Sequence, residues 1–256
     1  MKQFILKIFR GTKENQYWEE FELPLMPAMN VISALMEIQK NPVNTDGVKS
    51  TPVAWESGCL EEVCGSCSML INGKPRQSCT ALIESIISDT RSSTITLSPF
   101  TKFPLVKDLV VNRTQMFESL KRVKAWVSVD GTWEGGESSI KVSPEVQEAL
   151  YVLSTCMTCG CCSESCPQVN DESPFMGPAP ISQIRLFNSN PPGALQKAER
   201  LRAAMDQDGI AGCGNAQNCV KVCPKKIPLT ESLALIGREA TKQAIKDAIG
   251  LPDSEK

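Results

Sequence analysis

The first hundred residues alternate between two kinds of pattern. Residues 3–9 (QFILKIF) form a short apolar run that reads as a strand, turn residues Gly11 to Asn15 follow, and Gln16 to Leu23 read as its return strand. After Asn30, which can cap a helix, the spacing becomes helical: Val31, Leu35 and Ile38 share one face. A strand–turn–strand centred on Asn72-Gly73 and a strand over Thr94 to Leu97 complete this half. From Phe103 onward the period is helical, with Leu105, Leu109, Phe117 and Leu120 at helical spacings. Ala125 to Ser139, with its glycines and tryptophans, reads as a loop. Ser143-Pro144 opens a helix carrying Val146, Leu150 and Leu153 on one face. A further helix is expected over Ala194 to Met205, striped by Leu195, Ala198, Leu201 and Met205 and stopped by Asp208-Gly209. Another begins at Thr230, with Leu233, Ile236 and Ala240. The pattern therefore predicts an α+β domain over 1–105, a helical domain over 106–250 and a polar tail over 251–256.

Composition narrows the function. The 256 residues hold two modest domains or one large one, and at 41% hydrophobic but 5% aromatic the cores must be filled by aliphatic side chains. A net charge of −2 gives no support for binding nucleic acid or an anionic membrane surface. No stretch approaches the ~18 apolar residues of a spanning helix, and the N-terminal MKQFILKIFRG has no cleavage site of the secretory kind. A soluble, cytoplasmic chain is expected. Such a chain has no use for disulfides, so its twelve Cys point to metal. The absence of any His excludes His-ligated haem, Rieske centres and mixed Cys/His zinc sites, and removes the commonest general acid–base group. An electron carrier fits better than a site of bond-making.

The cysteines fall into three groups. Cys156, Cys159, Cys162 and Cys166, closed by Pro167, have the C-x2-C-x2-C-x3-C-P spacing of bacterial ferredoxins, in which the fourth Cys serves the other cluster. A second such run, CGNAQNCVKVCP, contains Cys213, Cys219 and Cys223, but Ala216 stands where the second ligand belongs. The crossed rule assigns Cys156, Cys159, Cys162 and Cys223 to a [4Fe–4S] cluster. It leaves Cys166, Cys213 and Cys219 as a three-thiolate set, expected to hold a [3Fe–4S] cluster because alanine cannot bind iron. The third group, Cys59-x4-Cys64-x2-Cys67 with a later Cys79, has plant-type [2Fe–2S] spacing. Gly58 and Gly65 beside these ligands let the backbone bend and turn N–H groups toward sulfur. A zinc ribbon would more often show two C-x2-C knuckles, and only Cys64–Cys67 is one. Cys161 is out of register for ligation and reads as a small buried residue. Lys225, Lys226 and Arg185 read as surface cations, or as neighbours of anionic cofactor or lipid groups.

This order of Cys groups, with the second cubane run lacking one Cys, resembles the iron–sulfur subunit of succinate dehydrogenase/fumarate reductase (respiratory complex II). The stretch PFTKFPLVKDLVVNR resembles that family's interdomain linker, and FMGPAPISQIRLFN and GNAQNCVKVCPKKIPLT resemble its Gram-positive branch. The resemblance implies a β-grasp ferredoxin domain followed by an α-helical ferredoxin domain. It implies a peripheral subunit on the cytoplasmic face of the membrane, between a flavoprotein subunit with covalent FAD and a membrane-anchor cytochrome b subunit with haem b. Electrons from succinate would pass through [2Fe–2S], [4Fe–4S] and [3Fe–4S] clusters to a quinone, linking the tricarboxylic acid cycle to the respiratory chain. Ubiquinone-reducing members carry a Trp after the first C-P and a His after the first Cys of the next run. Here those places hold Gln168-Val169-Asn170-Asp171 and Gly214, which fits menaquinone better. The competing expectations are a quinol:fumarate reductase subunit working in reverse, a diffusible ferredoxin-like carrier, and a structural zinc protein.

Overall fold

Strand β1 (Gln3–Gly11) runs antiparallel to β2 (Gln16–Pro24), in a register that pairs Gln3 with Pro24 and Gly11 with Gln16. Alternate residues Phe4, Leu6 and Ile8 face the core, as period-two patterning requires. Strands β3 (Ser68–Ile71) and β4 (Lys74–Gln77) are joined by Asn72 and Gly73, both at positive φ, the two-residue turn that matches strand twist. With β5 (Thr94–Ser98), parallel to β1, they form a mixed sheet in the order β2-β1-β5-β3-β4. Helix α1 (Val31–Lys40) lays Val31, Ala34, Leu35 and Ile38 against it. The sequence pattern missed α2 (Ile83–Thr90), which is only eight residues long and has no side-chain cap to announce it.

The computed structural model describes residues 2–128 and 142–253. These divide into two units: Met1–Arg113 with Met157–Glu164, and Thr114–Cys156 with Ser165–Lys256. The expected 125–139 loop therefore lies mostly outside the described residues, as do positions 254–256 of the tail.

The helical spacing of Leu105 and Leu109 misleads. This stretch is a hairpin of β6 (Leu105–Lys107) and β7 (Val110–Val111), and helix α3 begins only at Thr114 (Thr114–Arg122). The physical reason is Asp108, which sits at φ +50° in the turn with its carboxylate buried. That carboxylate accepts from the N–H groups of Gly11 (2.7 Å) and Ala54 (2.8 Å) and lies 3.2 Å from Arg10 Nε. Arg10, itself buried, also pairs with Glu19 and donates to the Thr51 carbonyl (2.9 Å). One guanidinium thus ties the sheet to the 50–54 segment that leads into the first cysteine loop.

The second unit is helical. Helices α4 (Pro144–Ser154), α6 (Pro178–Ser189), α8 (Lys197–Met205) and α10 (Leu229–Ala248) are joined by short turns α7 (Pro191–Ala194) and α9 (Asn218–Val222). Another short helix, α5 (Cys161–Glu164), belongs to the first unit. Ile181, Ile184, Leu201, Ala204, Leu233 and Ile236 form the centre of this core. Ser143 caps α4 as expected, accepting from the Val146 N–H at 3.4 Å; Leu150 and Leu153 are buried, whereas Val146 is exposed. The helix expected from Ala194 starts at Lys197 instead, because Asn190 caps a separate turn through Pro191-Pro192-Gly193, and Leu195 is left exposed. Arg200 is fully buried and donates to the carbonyls of Lys124 (2.9 Å) and Trp126 (2.9 Å). Burial away from water pulls its pKa down.

Asp108→Ala leaves the buried Arg10 with Glu19 as its remaining carboxylate partner and strands two backbone N–H groups. It is expected to destabilise the first unit by about 3 kcal/mol, whereas Asp108→Asn, which keeps an acceptor and tolerates positive φ, costs less. Urea midpoints of the two variants, followed by circular dichroism, measure the difference.

Candidate cluster-ligand sites

Cys59, Cys64 and Cys67 lie on the loop before β3, and Cys79 lies just after β4. Leu60 and Glu62 adopt positive φ, coiling the loop so that its amides converge on sulfur. The N–H groups of Glu61 (3.3 Å), Val63 (3.2 Å) and Cys64 (3.3 Å) all donate to Cys59 Sγ, and Cys59 N–H donates to Cys64 Sγ at 3.4 Å. Such donors favour a thiolate. The Cys59 N–H and then the Ser66 hydroxyl lower the Cys64 pKa to about 6. Burial, followed by the neighbouring Cys67 thiol, pushes Cys79 up to about 11. Asn30 joins this site to the fold: its Oδ1 caps α1 on Ser33 N–H (2.8 Å) while its Nδ2 donates to the Cys79 carbonyl (2.9 Å). Arg113 holds the same loop by donating to the carbonyls of Gly65 (2.8 Å) and Ser66 (2.7 Å).

The segment 157–164 packs directly on this loop. Gly65 sits at φ +73°, and a Cβ there would stand 2.6 Å from the Met157 carbonyl oxygen and 2.9 Å from Cys159 Cα. Glu164 ties the segment down, accepting from Thr101 N–H (2.9 Å), Thr101 Oγ1 (2.7 Å) and Lys102 N–H (3.0 Å). Cys159 and Cys162 are buried here. Hydrogen bonding from the Cys161 thiol brings the Cys159 pKa down to about 7 against the opposing effect of burial, and the Arg113 charge adds to the lowering. Cys156 and Cys223 belong to the second unit, where Cys223 Sγ accepts from Ile227 N–H at 3.4 Å.

Cys166, Cys213 and Cys219 line one hollow in the second unit, and Ala216 lines it with them. Burial raises the Cys219 pKa, and the sulfurs of Cys166 and Cys213 add to that. Gly214 makes room for Gln168, whose Nε2 would lie 2.7 Å from a Cβ at that position. Among the described residues no three Cys, Asp or Glu side chains close on a single metal ion. A cluster asks for less, because its thiolates are shared among several irons. The donor sets fit iron–sulfur clusters: sulfur ligands throughout, with amide N–H groups aimed at them in the first set.

Arg113 and Glu164 escaped the sequence reading, as did the second role of the Asn30 cap in holding the Cys79 carbonyl. Arg113 and the Glu164 partners Thr101 and Lys102 do lie within PFTKFPLVKDLVVNR, the stretch singled out as linker-like. Arg185, left open by the sequence, pairs with Glu231 at 2.8 Å.

Residues 5–118 match a family model described as a 2Fe-2S iron-sulfur cluster binding domain, and residues 152–227 match one described as a 4Fe-4S dicluster domain. The chain is 56% identical to the succinate dehydrogenase iron-sulfur subunit of Bacillus subtilis, over 97% of this chain and 96% of that protein. It belongs to the family of succinate dehydrogenase iron–sulfur subunits. Its place within the succinate:quinone oxidoreductase complex follows, and its 2Fe–2S and 4Fe–4S domains are those of an electron-transfer subunit. The fumarate reductase iron-sulfur subunit of Wolinella succinogenes is more distant, 28% identical over 87% of this chain and 89% of that one. The fold matches a chain of the Mycobacterium smegmatis Sdh1 complex in the apo form, with TM-score 0.80, 22% identity, and 94% and 96% of the two chains covered. Among the described residues of this succinate dehydrogenase subunit, no helix is long and apolar enough to cross a membrane.

Gly65→Ala forces a left-handed backbone on a residue with a side chain, costing about 1–2 kcal/mol, and sets a methyl group against the 157–159 backbone. The expected outcome is loss of the reduced-state [2Fe–2S] electron paramagnetic resonance (EPR) signal from the purified protein. Low-temperature EPR of the dithionite-reduced variant checks it.

Proposed function

We propose that the chain carries electrons one at a time from the FAD of a flavoprotein subunit to a membrane quinone, within succinate:quinone oxidoreductase. In this reading Cys59, Cys64, Cys67 and Cys79 in the 1–105 domain hold a [2Fe–2S] cluster. In the 106–250 domain, Cys156, Cys159, Cys162 and Cys223 hold a [4Fe–4S] cluster, and Cys166, Cys213 and Cys219 hold a [3Fe–4S] cluster. Bound clusters supply one-electron carriers whose potentials are set by type, charge and hydrogen bonding. The chain's own contribution is to aim N–H groups at sulfur and keep the loops from moving.

The observation that carries the three-iron assignment is the hollow lined by three thiols and Ala216. Fewer thiolates carry less ligand negative charge, which favours reduction, so this cluster is assigned the place nearest the quinone. Gln168-Val169-Asn170-Asp171 and Gly214, which stand where ubiquinone-reducing relatives carry a Trp and a His, support a menaquinone-type partner, and Gln168 and Gly214 of these line the hollow. The subunit is assigned to the cytoplasmic face of the membrane, against an anchor subunit with haem b. Identity of 56% to a succinate dehydrogenase subunit against 28% to a fumarate reductase subunit favours succinate oxidation over the reverse reaction.

Anaerobically purified protein is expected to contain about nine irons per chain. It should show an oxidised-state EPR signal that gives way, on reduction, to a [2Fe–2S] signal. About ten irons without an oxidised-state signal would overturn the three-iron assignment. Ala216→Cys supplies the absent thiolate. Its expected result is about ten irons and loss of the oxidised-state signal, read by iron analysis and EPR on the same sample.

A further inference from the structure

The first cysteine loop is acidic. From Glu56 to Cys67 it carries three carboxylates, Glu56, Glu61 and Glu62, and neither Lys nor Arg. A cation reaches it from the far end of the same unit. Arg113 donates from Nη1 to the Gly65 carbonyl at 2.8 Å and from Nη2 to the Ser66 carbonyl at 2.7 Å. Its Nη2 also meets Glu56 Oε2 at 3.3 Å. The Arg113 side chain is 12% exposed, whereas that of Glu56 is 47% exposed.

Gly65 and Ser66 are the two residues between Cys64 and Cys67. The guanidinium is therefore bonded to the carbonyl beside each of those cysteines, on the ligand loop itself. Neutral donors can hold such a loop, as the Asn30 amide does at the Cys79 carbonyl. A guanidinium does more. It is charged at every working pH, and its fork fixes two peptide groups at once. A charge shielded from water is weakly screened, so its field reaches whatever the four sulfurs bind. Glu56, half in water, offsets that field only in part.

We propose that Arg113 is a positioning residue of the electron relay: its fork holds the Gly65 and Ser66 peptides, and its charge raises the potential of the cluster bound by this loop. Reduction adds one electron, and so one negative charge, with no bond made or broken. A fixed cation beside the ligands favours that state, and Glu56 opposes it. The inference rests on Cys59, Cys64, Cys67 and Cys79 holding the [2Fe–2S] cluster.

The test is a potentiometric EPR titration of the membrane-bound complex carrying Arg113→Gln, Arg113→Lys or Glu56→Gln, with iron counted in each. Arg113→Gln removes the charge and keeps an amide donor. It is expected to shift the [2Fe–2S] reduction equilibrium about tenfold toward the oxidised form, ~59 mV for one electron. Arg113→Lys keeps the charge but loses the fork, and should return most of that shift. Glu56→Gln removes the opposing charge and should move the equilibrium about threefold the other way, toward the reduced form. If Arg113 only braces the loop, Lys and Gln behave alike and Glu56→Gln leaves the potential where it was; that result overturns the proposal. Should Arg113→Gln lose cluster iron, Glu56→Gln decides, because an unmoved or lowered potential there overturns the proposal equally. A wild-type complex without a reduced-state [2Fe–2S] signal would instead overturn the ligand assignment beneath it.

Discussion

Sulfur is a poor hydrogen-bond acceptor, and a thiolate is held in its charged form by the donors aimed at it. That single constraint shapes the first cysteine loop. Three consecutive stretches of backbone turn their N–H groups onto Cys59 Sγ, which is possible only because Leu60 and Glu62 accept left-handed backbone. A residue in that conformation costs on the order of 1 kcal/mol, and the loop carries two before reaching Gly65. The fold must supply that energy from elsewhere. It does so through contacts that grip the loop's carbonyls, with Arg113 on Gly65 and Ser66, and Asn30 on Cys79.

Those grips have roots in the sheet. Arg10 and Asp108 tie together the end of β1, the 51–54 segment that leads into the loop and the hairpin that follows the sheet, and the Asp108 carboxylate accepts from the backbone N–H groups of Gly11 and Ala54. A buried ion pair of this kind adds little net stability compared with apolar packing, since desolvation consumes most of the Coulomb attraction. Its value lies in position. A hydrophobic contact tolerates sliding by an ångström, whereas a carboxylate shared between Gly11, Ala54 and Arg10 does not. Loops whose sulfurs must meet a rigid inorganic core need that kind of fixing more than they need additional stability.

The elements that could be read from the sequence are those whose reason is local. The β1–β2 hairpin, the Asn72-Gly73 turn, the Asn30 and Ser143 caps and the Cys spacings each declare themselves within a few residues. The failures have non-local causes. Leu105 and Leu109 sit at helical spacing, but Asp108 between them is claimed by Arg10, nearly a hundred residues earlier, and the chain turns there instead. Arg113 and Glu164 looked like ordinary charged residues, because nothing near them in sequence shows that their partners are backbone groups of distant loops. Spacing sorted the cysteines into groups; it could not identify what steadies them.

A chain without histidine lacks the side chain whose ordinary pKa lies nearest neutrality. What remains adjustable is the energy of each site, and that is set by donors and charges fixed at folding. The hydrogen bonds around Cys59 come from the backbone, so side-chain substitution barely touches them. Around Cys159 the neighbouring groups are side chains: the Cys161 thiol and the Arg113 guanidinium. The first environment is therefore dictated by the shape of the loop, and the second is open to change one residue at a time.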